Sequence, residues 1–140
     1  MRSVEAITSQ LHARGMRVTP QRERIIGLLV ANERHPTVDS LFDAVRESMP
    51  TISRRTVYQT VHDLETLGEV RLLDLGTGSV RVDPNVETAH HHLVCRVCGR
   101  VRDVAAPKRG VAVPAETAVA FHVDDVDVIY RGTCTECAAG

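Results

Sequence analysis

The 140-residue sequence predicts an α+β chain: an N-terminal winged helix-turn-helix domain followed by a small C-terminal α/β domain. Three observations carry this. Helical apolar periods recur through the first half and end in a strand–turn–strand. Short valine-rich strands dominate the second half. Two Cys-x-x-Cys pairs, Cys95/Cys98 and Cys134/Cys137, frame that second half and imply a metal staple.

Composition narrows the field. The chain is 43% hydrophobic but has no Trp, two Tyr and two Phe, so its core is aliphatic. Residues 1–84 carry eleven Arg, no Lys and eleven acids, and the whole chain has a net charge of −1. Any nucleic-acid footprint must therefore come from the arrangement of arginines, not from bulk charge. No stretch is long and apolar enough to span a membrane, and the N-terminus lacks a signal-peptide core. The expectation is a cytoplasmic chain in which paired cysteines hold metal.

In chain order, Ser3 caps a short helix over residues 3–14, with Ile7 and Leu11 on one face and Gly15 at its exit. Thr19 caps a second from Pro20 to Ala31, with Pro20 at the position where its missing N–H costs nothing. Ile25, Ile26, Leu28 and Leu29 supply its buried stripe. Val38, Leu41, Phe42 and Val45 stand at i, i+3, i+4 and i+7 of a third, capped by Thr37 and ended by Pro50. Ser53 caps the fourth; Ile52 and Val57 staple it, Val57, Val61 and Leu64 turn inward, and Gly68 ends it. At about 100° per residue, Arg55, Gln59, His62 and Thr66 face the other way, with Tyr58 on the flank. A polar outer face is the ordinary property of any surface helix. The ordered succession of helices and hairpin favours a groove-reading one. EVRLLDL, a Gly76–Ser79 turn and VRVD form the hairpin, or wing.

Residues 85–89 are turn-forming and polar, and the hinge is placed there, between domains 1–84 and 90–140. Strands are expected at His92–Cys95, Val101–Val104, Phe121–Val123 and Val126–Tyr130, with a short helix around Pro114–Ala120. Such a sheet would expose an apolar face that a second copy can cover.

Cys-x-x-Cys places two thiolates on one turn, and two such pairs make a closed, structural Zn(II) site from Cys95, Cys98, Cys134 and Cys137. Reduced core thiols or a redox pair are the alternatives; no thioredoxin-like context supports the latter. His90 and His92 alternate on the strand leading into Cys95 and share a face, whereas His91 points to the other. A solvated hinge explains such a cluster as well as a metal does.

RVTPQR at Arg17–Arg22, TVYQTVHDLETLGEV at Thr56–Val70, HHHLVCRVCG at His90–Gly99 and the closing CTEC occur in the order characteristic of the ferric uptake regulator (Fur) family, which this sequence resembles over nearly its whole length. The resemblance implies a metal-dependent transcriptional repressor: a homodimer with a C-terminal α/β dimerisation domain, binding double-stranded palindromic operator DNA. Arg17, Arg55, Thr56, Tyr58, Gln59 and His62 are the expected DNA-binding residues. Five positions match the peroxide-sensing branch, PerR: His35, Asp83, His90, His92 and Asp103, with one extra residue between Asp83 and His90. The resemblance implies that they hold regulatory Fe(II) or Mn(II), and a mixed N/O donor set suits those ions. Aspartate at the last position implies peroxide sensing by oxidation of His35 and His90, sacrificial chemistry and not an enzyme's turnover. The alternative is a metal-uptake regulator for iron, manganese, zinc or nickel on the same fold.

Three departures stand out. Gln59 replaces the family's usual arginine, Val126 replaces a histidine of an additional metal site to which His91 would contribute, and Ala105–Ala118 is short and holds Pro107 and Pro114. From other classes, a zinc hydrolase lacks a His-Glu-x-x-His pattern, and a structural zinc adaptor leaves the helical half unexplained. No small-molecule substrate is expected beyond peroxide as signal.

Overall fold

Three helices of the first half begin in the same way. Ser3, Thr37 and Ser53 each stand in extended backbone, and each side-chain oxygen accepts a hydrogen bond from the amide three residues on: Ala6 at 3.3 Å, Ser40 at 3.0 Å and Thr56 at 3.1 Å. The computed structural model describes residues 1–30, 32–107 and 111–140. It contains α1 (Val4–Ala13), α2 (Pro20–Val30), α3 (Val38–Ser48) and α4 (Arg54–Thr66), then the wing strands β1 (Arg71–Leu73) and β2 (Arg81–Asp83). The last residue of the expected second helix, Ala31, lies outside the described residues.

Ile7, Ile25, Leu29, Val45, Val57 and Leu64 are fully buried in one aliphatic core shared by the four helices. Leu28, expected in that core, packs only partly against it. Gly68 at φ 72° closes α4. Its amide donates to the Glu65 carbonyl at 2.9 Å, and the Glu69 amide donates to Leu64 at 2.9 Å, the paired bonds of a Schellman end. The antiparallel wing pairs Arg71 with Asp83, Leu72 with Val82 and Leu73 with Arg81. Its outer edge continues onto the segment before α3: Thr37 bridges Arg81, and the Val82 amide donates to the Pro36 carbonyl at 2.8 Å.

The chain divides into two compact units, Met1–Thr88 and Ala89–Gly140, so Pro84–Thr88 fold with the first. The second unit is a three-stranded sheet of order β4-β3-β5. Its strands are β3 (His90–Cys95), β4 (Val101–Ala105), antiparallel to β3, and β5 (Ile129–Gly132), parallel to it; α5 (Thr135–Ala138) follows.

Here the sequence reading needs correction. No helix forms at Pro114–Ala120: the Thr117 and Ala118 amides both donate to the Pro114 carbonyl, at 2.9 and 3.0 Å, and the turn goes no further. Ala120 sits at φ 65°, a left-handed conformation that ends helical winding. Phe121–Val123 is not a strand, and the strand expected over Val126–Tyr130 begins only at Ile129, next to the Val128 carbonyl that accepts the His92 amide at 3.1 Å. Alternation alone does not make a strand where no neighbour takes its hydrogen bonds. Conversely, the sequence pattern gives no sign of α5.

Candidate metal centres and nucleic-acid interface

The turn after β3 is tight. The Gly99 amide donates to Cys95 and the Cys95 amide to Arg100, both at 2.9 Å, with Gly99 at φ 71°. This loop presents Cys95 and Cys98; Cys134 stands at the N-terminus of α5 and Cys137 within it. All four cysteines are free, and their sulfurs lie within 4.8 Å of one another. Cys98 Sγ and Cys134 Sγ are 3.8 Å apart. A tetrahedral zinc with bonds of about 2.3 Å sets its sulfurs about 3.8 Å apart, so the cluster fits that ion.

Backbone amides of Cys98 and Cys134 lower the Cys95 thiol to about 6, whereas the Cys137 thiol, donating to the Cys134 and Cys98 sulfurs, is pushed up to about 12. Arg100 clasps Glu136 through both guanidinium nitrogens, Nη1 donating to Oε1 at 2.6 Å. The pair raises the arginine's pKa, lowers the carboxylate's, and ties α5 to the base of β4.

The other expected metal ligands divide between the two units. In the first, His35 and Asp83 are both buried, with His35 Nε2 3.4 Å from Asp83 Oδ1. His35 has φ 49°, unusual for a residue other than glycine. The wing holds it there: Arg81 Nη1 donates to the His35 carbonyl at 2.9 Å, while Val82 grips Pro36. The Asp83 carboxylate also accepts the Asn85 amide at 2.8 Å and faces Arg71 Nη2 at 3.5 Å.

In the second unit, His92 stands opposite Asp103 across the β3–β4 pair, with His90 two residues along the same face. The rings of His90 and His92 meet edge-on, centroids 4.8 Å apart, and His90 Nε2 lies 3.8 Å from Asp103 Oδ1. Ligand atoms of these three residues fall within 4.8 Å of one another. His91 turns to the opposite face, its ring 6.4 Å from that of Tyr130. Imidazoles and carboxylates, with no thiol among them, make a donor set for Fe(II) or Mn(II).

On α4, Arg55, Tyr58, Gln59, His62 and Thr66 are exposed, and Arg17 is exposed in the α1–α2 connection. Thr56 is half-buried, its hydroxyl bonded to the Ser53 cap at 2.9 Å. Gln59 Nε2 donates to Asp63 Oδ1 at 2.8 Å, and Asp63 also pairs with Arg22 of α2. Arg54 pairs with Asp39 and lies over the Phe42 ring, 4.5 Å from its centroid. Sequence reasoning missed Arg71, Arg81 and Asp63. The i, i+2 spacing of Arg81 and Asp83 was a signal for one of them; the partnership of Arg71 depends on a wing register that the sequence does not specify.

A four-thiol cluster beside imidazole–carboxylate sets, on a winged helix followed by a small sheet, defines a metal-dependent regulator. The family model described as the ferric uptake regulator family matches residues 13–130, and the chain belongs to that family. It is similar to the peroxide-responsive repressor PerR of Staphylococcus epidermidis, 32% identical over 139 residues that cover 96% of this chain and 89% of that protein. A solved zinc-bound manganese uptake regulator is 28% identical with a TM-score of 0.73, covering 95% of this chain and 99% of its own. The Helicobacter pylori ferric uptake regulator, a structure with three functional metal-binding sites, shares the fold at a TM-score of 0.79 and 18% identity, over 98% of this chain and 95% of that one. Among the described residues, no helix is long and apolar enough to cross a membrane.

Proposed function

We propose that this chain is a peroxide-sensing repressor that binds palindromic operator DNA as a homodimer. In this reading Cys95, Cys98, Cys134 and Cys137 hold structural zinc, and His35, Asp83, His90, His92 and Asp103 together hold one exchangeable Fe(II) or Mn(II). Those five residues come from both units, so a cation that engages all of them fixes the arrangement of the two. Moving such a hinge from mostly open to mostly closed takes on the order of 5 kcal/mol of differential binding. In the dimer, the two copies of α4 then lie at half-site spacing, with Arg55, Tyr58, Gln59 and His62 toward the groove and Arg17 toward the backbone. The exposed Leu93 and Tyr130, register partners on one face of the β-sheet, belong to the surface that the second copy covers.

The observation that carries the peroxide reading is that the carboxylate beside His90 and opposite His92 is an aspartate, Asp103. Bound Fe(II) supplies the reduction of peroxide. At His35 or His90 one peroxide oxygen would be inserted into an imidazole C–H bond and the other would leave as water, one peroxide per histidine oxidised, after which that imidazole would no longer serve as a ligand and the units would leave the operator arrangement. The 32% identical relatives named as peroxide-responsive repressors support this reading. The 28% identical manganese uptake regulator favours a second one, a metal-uptake regulator on the same site.

One experiment separates them. After peroxide with Fe(II), the peptides holding His35 and His90 should gain the mass of one oxygen, and operator binding should fall, whereas Mn(II)-loaded protein should do neither. Unmodified histidines in the Fe(II) arm would rule out peroxide sensing and leave the uptake reading standing.

A further inference from the structure

Asp83 is a fully buried carboxylate, and a buried charge needs a partner whether or not a metal is bound. Its Oδ1 is shared between the His35 ring and the Asn85 amide, and its Oδ2 faces the Arg71 guanidinium at 3.5 Å. Arg71 stands directly opposite Asp83 in the wing register and is about one-third exposed at 35%, so its charge reaches the site from the solvent edge of β1. Arg81, on the same strand as Asp83, donates through Nη1 to the His35 carbonyl at 2.9 Å.

We infer that Arg71 is an affinity-setting residue for the regulatory cation: it compensates Asp83 while the metal is absent and opposes the metal when it binds. The inference rests on the metal reading proposed above. Two cations on one carboxylate share its single charge and repel each other. A divalent ion on Asp83 meets an arginine charge held against the other oxygen of the same group, and like charges at such range repel strongly in a buried setting. Arg71 thereby stabilises the metal-free first unit by a contact whose benefit is lost when the metal takes over Asp83. By linkage, a stabilisation present only in the empty site lowers the affinity for the metal by the same free energy. Arg71 acts on the cation through the Asp83 carboxylate, which it faces at 3.5 Å.

The test is Arg71→Met, which keeps the stem and removes the charge, in the full chain with its structural zinc left in place. Manganese(II) is the probe because it does not drive peroxide chemistry. Two quantities are read: the melting temperature of the helical signal with and without manganese, and the manganese dissociation constant. The expected result is a metal-free melting temperature lower by about 5 °C, a metal-bound one close to wild type, and manganese binding about tenfold tighter, equivalent to about 1.4 kcal/mol.

An ion pair that serves structure alone would lower both melting temperatures equally and leave the affinity unchanged; that outcome, or weaker binding, overturns the inference. Wild-type protein whose melting manganese does not move would instead sink the metal reading itself. Should Arg71→Met fail to fold in both metal states, Arg71→Gln is read by the same two quantities.

Discussion

Gln59 shows how much a single neighbour constrains a reading head. Its amide nitrogen donates to Asp63, which Arg22 in turn holds from α2. The amide keeps a second N–H, so the two-pronged grip on adenine open to a glutamine would use that hydrogen and the carbonyl oxygen while Asp63 holds the other. Gln59 also brings no charge where the family's usual residue is arginine, and in the proposed function the phosphate-directed attraction falls to residues such as Arg55, exposed on the first turn of α4. Arg55→Ala should therefore weaken operator binding and reduce the slope of log affinity against log salt by about one. Fluorescence anisotropy across a salt series measures this. An unchanged slope would remove Arg55 from the interface.

At the scale of elements, α4 is held by what it buries more than by its caps. Leu64 is fully buried, and its carbonyl also receives the Schellman bond from Glu69. Leu64→Ala should cost about 2–5 kcal/mol, a large share of the roughly 5–15 kcal/mol that keeps a domain folded. Urea unfolding followed by far-ultraviolet circular dichroism would show this as a lower midpoint, and a loss under about 1 kcal/mol would contradict the packing described.

The four helices were legible in the sequence because cap and apolar period agree within each segment, and in α1 and α4 a terminal glycine agrees as well, as Ser53, Val57–Val61–Leu64 and Gly68 do. The second half was less so. Phe121–Val123 alternates like a strand but has none of a strand's pairing, and the left-handed Ala120 leaves no trace in composition. The cysteine cluster was readable from spacing alone. The His35–Asp83 proximity entered only through family resemblance, because it depends on the wing folding back along the segment before α3.

For the molecule as a whole, apolar burial is unevenly spread. The aliphatic core lies in the first unit, while the buried apolar residues described in the second are Val94, Cys95 and Val101. So small a core does not hold a domain by itself; in the proposed function, zinc on the thiol cluster and the second copy over the sheet contribute the rest. Zinc takes thiolates, so its binding expels protons and tightens as pH rises. Of the four thiols, Cys95 is already charged above a pH of about 6, so it has no proton left to release there. Between roughly pH 6.5 and 8.5, apparent zinc affinity should therefore climb by no more than about three powers of ten per pH unit.

In the zinc-free, reduced chain the depressed Cys95 value stabilises the fold fully above the ordinary thiol value of 9.0, and that contribution is lost as pH falls through about 6. Cys137, raised to about 12, acts in the opposite sense: its contribution is present below 9.0 and lost as pH climbs through about 12. Competition against a chromophoric chelator at several pH values gives the affinity slope, and thiolate absorbance of the metal-free chain locates the first ionisation. A slope of about four, together with no thiolate forming below about pH 8, would mean that the Cys98 and Cys134 amides do not stabilise charge on Cys95. The geometry of the knuckle would then have to be redrawn.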